Sequence, residues 1–390
     1  MAERMACFRK TKPESEFFKA SFVPRMYIKT LSLTDFRNVS RQTLALDSKL
    51  NLLVGANAQG KTNFLEAIYL LAHGLSFRTN EFRDLIRWEA ATAKIQAQAM
   101  LPEGEDFLEV QINSEKKSLW RNEKKTSWSR ASFGPTTLLA VLFAPEEILV
   151  LKGSPQGRRH YIDALVEKLS PAYGKTLKNY HRVVVQRNKL LQDEAMNPNQ
   201  LETLLETWDA PLIDLGGQLI QERKLWTDRL NQHLTARYED MSQSKSQAQL
   251  IYQPHVESDA AAFSQKLSER KALEKILRRS LVGPHRDDYV ATLRNNPVKG
   301  FGSQGESRTF TLALKCAEID LIQEVHQQTP ILLLDDVVSE LDEARNHYFF
   351  HYLLQFAGQV VVTATSEKLL PGATLKVAKT FRIQNGAAKN

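Results

Sequence analysis

Gly55-Ala56-Asn57-Ala58-Gln59-Gly60-Lys61-Thr62 fills every fixed position of the pattern GxxxxGK[ST]. Each fixed residue has a physical task. Gly55 and Gly60 let the backbone turn tightly, so that successive N–H groups face one anionic point. Lys61 is placed to reach the β and γ phosphates of a nucleotide, and the Thr62 hydroxyl to meet Mg2+. Upstream, the chain alternates as three short strands, around 27–33, 41–46 and 50–54. Downstream, Phe64, Leu65, Ile68, Leu71 and Ala72 fall at helical spacing. The positive end of that helix adds to the phosphate site. Strand, glycine loop and helix in this order predict an ATP-binding loop.

Further out, residues 94–142 return to short alternating stretches such as Phe107-Leu108-Glu109-Val110-Gln111-Ile112. They predict an antiparallel sheet beside the loop, with Lys116, Lys117, Arg121, Lys124 and Lys125 around a hairpin. Residues 155–280 are polar and helix-rich, with Leu204, Leu205, Trp208, Leu212, Leu215 and Leu219 at helical spacing. Pro211 and the Gly216-Gly217 pair interrupt any long heptad register, which predicts a compact helical insertion and not a coiled coil. From 281 onward strands and helices alternate, with a helix over 309–325 and buried strands at 331–334 and 359–363. The expected organisation is therefore 1–25 as an extension outside the core and 26–150 as the first part of the nucleotide-binding head. Residues 151–280 form an arm, and 281–390 complete the head.

Composition narrows the class. Hydrophobic residues make up 42% and charged residues 25% of the 390, close to globular averages, so disorder is not the main state. Lys and Arg exceed Asp and Glu by 52 to 45, a net +7, the sign that suits a polyanionic partner but equally that of an ordinary soluble surface. Cys7 and Cys316 stand far apart with no CxxC, which fits neither a disulfide framework nor a structural zinc. The sequence has no apolar run of 18 residues, and 1–25 lack the apolar centre of a secretory signal, so the expected location is cytoplasmic, with no membrane partner.

A second chemical element is Ile331-Leu332-Leu333-Leu334-Asp335-Asp336. Four apolar residues make a buried strand, whose terminal Asp335 is placed to hold the water shell of Mg2+. Asp336 is placed to orient or deprotonate an attacking water. Lys61 and Asp335 are 274 positions apart, too far for a small GTPase or nucleotide kinase, and Asn188-Lys189-Leu190-Leu191 departs from the guanine-reading NKxD. Between them, Ser303-Gln304-Gly305-Glu306 precedes a helix and presents a hydroxyl and N–H groups at its N-terminus. Read alone, that tetrapeptide is as well an ordinary helix cap. Ser339-Glu340-Leu341-Asp342 adds a further small turn.

Taken in order, these motifs resemble the ABC-type ATPases of chromosome maintenance: Walker A, an inserted domain, a signature turn, Walker B and a D-loop. The resemblance implies an α/β fold, an ABC-type P-loop ATPase head with mixed sheets and an inserted, mainly helical arm domain. It also implies that Ser303 to Glu306 of one protomer closes over ATP held by another, in an ATP-dependent homodimer. The sequence is further similar to the RecF family of bacterial recombination mediators. The similarity is carried by Leu33-Thr34-Asp35-Phe36-Arg37-Asn38, the loop 55–62 and Phe143-Ala144-Pro145-Glu146-Glu147. It continues through Lys152-Gly153-Ser154-Pro155, Arg158-Arg159, Gln186-Arg187-Asn188, Gly283-Pro284-His285-Arg286-Asp287-Asp288 and Ser303 to Glu306, spanning about 26–386. That family implies dimerisation on double-stranded or gapped DNA, slow ATP hydrolysis without chemistry on DNA, and cooperation with RecR and RecO in loading RecA during repair, replication restart and the SOS response.

Arg37 and Asn38 sit where such ATPases approach the nucleotide from the first sheet. Asp336 replaces the usual glutamate, and one methylene less sets its carboxylate back from water, in keeping with slow turnover. A hydroxyl near Thr363-Ala364-Thr365-Ser366 stands where a switch histidine is common. His285 and Arg286 are as readily structural as ligand-binding. For DNA the candidates are the basic residues of 116–125 and Lys266, Arg270, Lys271, Lys275, Arg278 and Arg279, each also readable as a solvated surface. The competing readings are an ATPase subunit of a transporter or nuclease complex and a long-armed structural-maintenance protein. A transporter subunit needs a short insertion, whereas 242 positions separate Lys61 from Ser303. The insertion is too interrupted for an extended coiled coil.

Overall fold

The computed structural model describes residues 26–128, 138–144, 153–336, 343–370 and 372–389. The expected extension 1–25, Pro145 to Glu147, Lys152 and the expected D-loop 339–342 lie outside the described residues. The three strands read from the sequence are present as β1 (Tyr27–Phe36), β2 (Val39–Ala45) and β3 (Leu50–Val54). Helix α1 (Lys61–His73) follows the glycine loop, and β4 (Ala93–Leu101), β5 (Gly104–Ile112), β6 (Lys117–Arg121) and β7 (Lys124–Thr126) come next. The short strand β8 (Ala140–Phe143) closes this part. One sheet, in the order β2-β1-β4-β5-β6-β7, is antiparallel throughout, as its alternating burial requires.

The arm begins with α2 (Pro155–Leu169) and α3 (Pro171–Gln192). Each starts with Pro at the first position, where no N–H is needed, and with a serine cap, Ser154 or Ser170. Helix α4 (Pro198–Ser242) then runs 45 residues, about 68 Å at 1.5 Å per residue. The helix is continuous through Pro211 and Gly216-Gly217, residues that the sequence reading took only as breaks in a heptad register. The glycines serve close packing instead. A Cβ at Gly216 would lie 2.7 Å from the Phe263 ring, and one at Gly217 would lie 2.8 Å from the Ser258 carbonyl. Leu205, Leu212 and Leu219, buried on either side of Pro211, hold the helix on course across the proline.

β9 (Ala248–Gln253), α5 (Ala260–Leu277), β10 (Asp288–Leu293) and the two-residue β11 (Asn296–Pro297) complete the arm. β9 pairs antiparallel with β10 along its whole length, so a boundary drawn at residue 280 cuts through one sheet. Next come α6 (Gln304–His326), β12 (Ile331–Leu334), α7 (Glu343–Gln355), β13 (Val360–Ala364), α8 (Gly372–Val377), β14 (Lys379–Gln384) and β15 (Ala387–Lys389).

The second large sheet has the order β15-β14-β3-β13-β12-β8 and is parallel except at β15. Its central strands are almost wholly apolar, as burial on both faces demands. Helix α1 lies between β8, β12 and β13 on one side and β5 on the other, which is why nearly its whole surface is buried. The two sheets are also joined by the fully buried Gln359. Its amide donates to the Ile28 and Asp47 carbonyls, both at 2.8 Å, and accepts from the Ile28 N–H at 2.9 Å. Among the described residues no helix is long and apolar enough to cross a membrane.

Candidate nucleotide site and its relatives

Parallel pairing brings the C-terminal ends of β3, β13 and β12 to one edge, with Leu52, Val362 and Leu334 in line. The glycine loop leaves β3 there, and Asp335-Asp336 leave β12. β13 runs between them. Ala58 and Gly60 both have left-handed backbones, with φ of 63° and 97°. A side chain at Gly60 would also strike Asn38, whose Oδ1 lies 2.5 Å from the Cβ position. Gly55 needs no unusual dihedral but abuts the Ile383 carbonyl, so its glycine serves close approach. The Gln59 carbonyl and side chain accept from the N–H groups of Gly386 and Asn385, both at 2.8 Å, so β14 and β15 pin the loop from outside.

The buried Lys61 ammonium donates to the Gly55 and Ala56 carbonyls at 2.9 and 3.2 Å and lies 3.9 Å from Asp336 Oδ2. Thr62 Oγ1 donates to Asp335 Oδ1 at 2.9 Å. Thr363, fully buried at the end of β13, donates to the same oxygen at 2.8 Å and accepts from the Asp336 N–H at 2.9 Å. Asp336 itself is left-handed, with φ of 47°. This hydroxyl bridge is the feature that sequence reasoning left open between Thr363 and its neighbours. Its signal was a lone polar residue within an apolar central strand. A lysine beside a loop of N–H groups, and a hydroxyl paired with a carboxylate, fit a nucleotide polyphosphate and a hard cation held by oxygen.

Two of the expected contacts part company. Asn38 is brought to the loop, where its Oδ1 accepts from Asn63 Nδ2 at 2.7 Å. Arg37 is committed elsewhere. Its guanidinium makes two bonds to the fully buried Glu66 of α1, at 2.5 and 2.9 Å, and a third to the Asp84 carbonyl at 2.8 Å. Arg78 also reaches Glu66, at 3.4 Å, and Asn63 Oδ1, at 2.9 Å. Glu66 was missed by the sequence reading. A carboxylate among Phe64, Leu65, Ala67 and Ile68 marks a buried pair, since such groups are rarely buried alone.

Ser303 caps α6 in a reciprocal box. Its hydroxyl accepts from the Glu306 N–H at 3.1 Å, and Glu306 Oε2 accepts from the Ser303 N–H at 2.9 Å. These bonds and the Arg294 pair, at 2.6 Å, hold Glu306 below the usual carboxylate range, the backbone bond to Ser303 being the largest cause. Ser303 and Gln304 are exposed and Gly305 is partly so, and Glu306 also pairs with Arg294 of the β10–β11 turn.

The remaining motif residues converge inside the arm. Arg158 makes a two-point pair with Asp288, at 2.8 Å twice, and Arg159 donates to the Asp287 carbonyl at 2.6 Å. Buried Arg223 joins Asp163, Asp287 and the Pro284 carbonyl. Buried Arg187 joins Asp209, Glu274 and Ser280, and Asn188 accepts from the Ser280 N–H. His285 shares a hydrogen with Tyr180 at 2.7 Å. His285 is thus tied into the arm's own hydrogen bonding. Of the basic residues considered for DNA, Lys271 and Lys275 pair with Glu202, Arg278 with Glu194 and Arg121 with Asp106, while Lys266 donates to the His255 carbonyl. Lys117 sits over the Phe82 and Trp128 rings at 5.3 and 5.5 Å.

A phosphate loop and an acidic strand end on one edge of a parallel sheet, with a flanking antiparallel sheet and a long insertion before the signature turn, define an ABC-type ATPase head. Proteins described as DNA replication and repair protein RecF from Bacillus cereus (strain B4264) and Bacillus thuringiensis (strain Al Hakam) are each 34% identical over 93% of this chain and 98% of their own length. The chain belongs to the RecF family, whose role is that of a recombination mediator in DNA replication and repair. Residues 27–136 match the family described as RecF/RecN/SMC N terminal domain. Solved structures of the recombination mediator protein RecF in the RecFOR pathway, described as RecF-ATPrS and RecF-ATP, superpose with TM-scores of 0.84 and 0.83 at 29% and 28% identity. Both comparisons cover 94% of this chain and 98% of the other. An Smc head domain from Pyrococcus furiosus, 18% identical over 93% of this chain and 95% of its own with a TM-score of 0.53, shares the fold.

Proposed function

We propose that the chain is an ATP-gated, DNA-binding clamp of the recombination machinery. ATP is bound by Gly55 to Thr62, with Lys61 on its phosphates and Asn38 bracing the loop. Mg2+ is held through Thr62 and Asp335. The single observation that carries this reading is the Thr62–Asp335 contact, which joins the two halves of a nucleotide site across an intervening strand. Solved RecF structures described with ATP support it. In this reading the exposed Ser303 turn, with Gln304, Gly305 and Glu306, completes the site of a second copy, because it presents a hydroxyl and N–H groups at the N-terminus of a long helix. Nucleotide then shifts the monomer–dimer equilibrium by its differential affinity for the closed dimer. Asp336 acts on the attacking water, hydrolysis is slow, and its purpose is release. The dimer holds double-stranded DNA near gaps in the cytoplasm and cooperates with RecR and RecO in loading RecA.

The test is to size the protein with ATP, with ADP and without nucleotide, each with and without duplex DNA. Dimer is expected with ATP alone and is strengthened by DNA. A chain that stays monomeric with ATP and duplex together sinks the clamp.

A further inference from the structure

Helix α3 carries five Lys and Arg residues and no Asp or Glu over its 22 positions. One of the five, Arg187, is buried and spent on Asp209, Glu274 and Ser280. The other four, Lys175, Lys178, Arg182 and Lys189, are all exposed, and none forms an ion pair among the described residues. At 3.6 residues per turn they fall within about 60° of arc, a single stripe along one face. Its length is about 21 Å, from 14 rises of 1.5 Å.

A face that serves only solubility has no need of a single sign. Like charges at i,i+3 and i,i+4, as in Lys175, Lys178 and Arg182, repel one another. Helix α5 shows the ordinary arrangement, with Lys271, Lys275 and Arg278 answered by Glu202, Glu206 and Glu194. Among the described residues the acidic groups beside α3 do not pair with its stripe. Glu222 of α4 is bonded to the Trp226 indole, and Glu167 of α2 is packed against Gly174.

We propose that this face of α3 follows the phosphate backbone of duplex DNA, with Lys175, Lys178, Arg182 and Lys189 each meeting a phosphate. It rests on the DNA-binding part of the proposed function and names the surface. About 21 Å of helix spans roughly six base pairs at 3.4 Å each. Three of the four contacts are lysine ammoniums, which neutralise phosphate without reading base edges, so binding is sequence-tolerant.

The test uses the full chain with ATP and a fluorescent duplex, with affinity followed across a salt series. Changing Lys175, Lys178, Arg182 and Lys189 together to Gln is expected to flatten the slope of log affinity against log salt by about 3.6, or roughly 0.9 per lost contact. Changing the three lysines to Arg should keep the parental slope, and so should Lys271→Gln with Lys275→Gln on α5. A fourfold variant that binds ATP and retains the parental slope overturns the proposal while leaving the clamp intact. If that variant fails to fold, Lys175→Gln with Arg182→Gln is read instead, against an expected loss of about 1.8. A parental chain that binds no duplex with ATP overturns both the surface and the DNA-binding reading. Loss of binding to a partner protein with the DNA slope unchanged makes the face a protein-docking surface and likewise overturns the proposal.

Discussion

Thr62 and Asp335, 273 positions apart in the chain, are joined by a hydrogen bond of 2.9 Å. The bond holds together the hydroxyl and the carboxylate that the proposed Mg2+ site uses. Asp335→Asn removes the charge and keeps the shape. ATP affinity measured with Mg2+ is expected to fall about ten- to hundredfold, the scale of one charge-assisted hydrogen bond. Affinity measured with a chelator present should hardly move. Equal losses in both conditions would remove the metal role from Asp335.

Thr363→Val replaces the hydroxyl bridge with an isosteric methyl group. The Asp336 N–H then lacks its partner, a cost of about 1–3 kcal/mol that a thermal melt should register. ATP binding, which rests on the loop itself, is expected to persist while single-turnover hydrolysis slows. Unchanged hydrolysis would mean that Thr363 only supports the fold.

Asp336→Asn and Ser303→Arg should act in opposite directions on the dimer. The first is expected to slow hydrolysis by about a hundredfold or more, the scale of a lost general base, and so prolong the ATP-bound dimer. The second places a bulky cation at an exposed cap and should abolish dimerisation while the monomer still binds ATP. Sizing chromatography with nucleotide separates the two outcomes, and a Ser303→Arg dimer would remove the shared site.

Stability should decline on acidification in two stages. Burial, aided by Lys168, lowers His73 to about 3, and burial, aided by Arg286, lowers His285 to about 4, both from an ordinary 6.5. Above pH 6.5 both are neutral whether the chain is folded or not, and their contribution is complete. Below it the unfolded chain takes up protons that the folded chain refuses, at roughly 1.4 kcal/mol per pH unit for each group. Burial alone would raise Glu318, but Lys315 and Lys168 outweigh it and hold it at about 2. Its stabilisation is complete above about 4.5 and disappears between there and 2. Thermal midpoints across this range should fall first from pH 6.5 and more steeply below 4.5. A flat profile from 6.5 to 5 would contradict the half-buried, neutral histidines.

Two glycine substitutions weigh packing against helix propensity. Alanine within a helix gains up to about 1 kcal/mol over glycine. At Gly174 the new methyl meets only the flexible Glu167 side chain, at 3.4 Å, so Gly174→Ala should raise the melting temperature. At Gly217 it meets the Ser258 backbone at 2.8 Å, and Gly217→Ala should lower it. A stabilised Gly217→Ala variant would show that the α4 packing is looser than described.

Where local sequence and tertiary structure agree, the fold was legible in advance. The run Leu50 to Ala72 announces strand, loop and helix through period and glycine alone, and Ile331 to Asp336 announces a buried strand with a charged end. Pro211 and Gly216-Gly217 hid the length of α4 for a specific reason. Local rules charge about 3 kcal/mol for an interior proline, and only the tertiary arrangement reveals that Phe263 and Ser258 fill the space the glycines leave. Arg37 was assigned to the nucleotide because its partner, Glu66, lies on another element. The α3 stripe went unremarked because its meaning depends on whether nearby acids pair with it, which among the described residues they do not, and a sequence does not say which helices those acids face.

The helix that carries the Ser303 turn is also bolted to the arm. Glu318 of α6 is held by Lys168 and Tyr161 of α2, at 3.1 and 3.0 Å. Asp320 takes a two-point pair from Arg237 of α4, at 2.6 and 2.7 Å, and Glu324 receives both Arg229 and His233. These three carboxylates lie along one helix, so α2, α4 and α6 form a stiff frame. Ser303 caps the other end of that same helix. One helix thus belongs to two parts of the molecule, carrying the Ser303 turn at its start and the arm's anchoring carboxylates near its end.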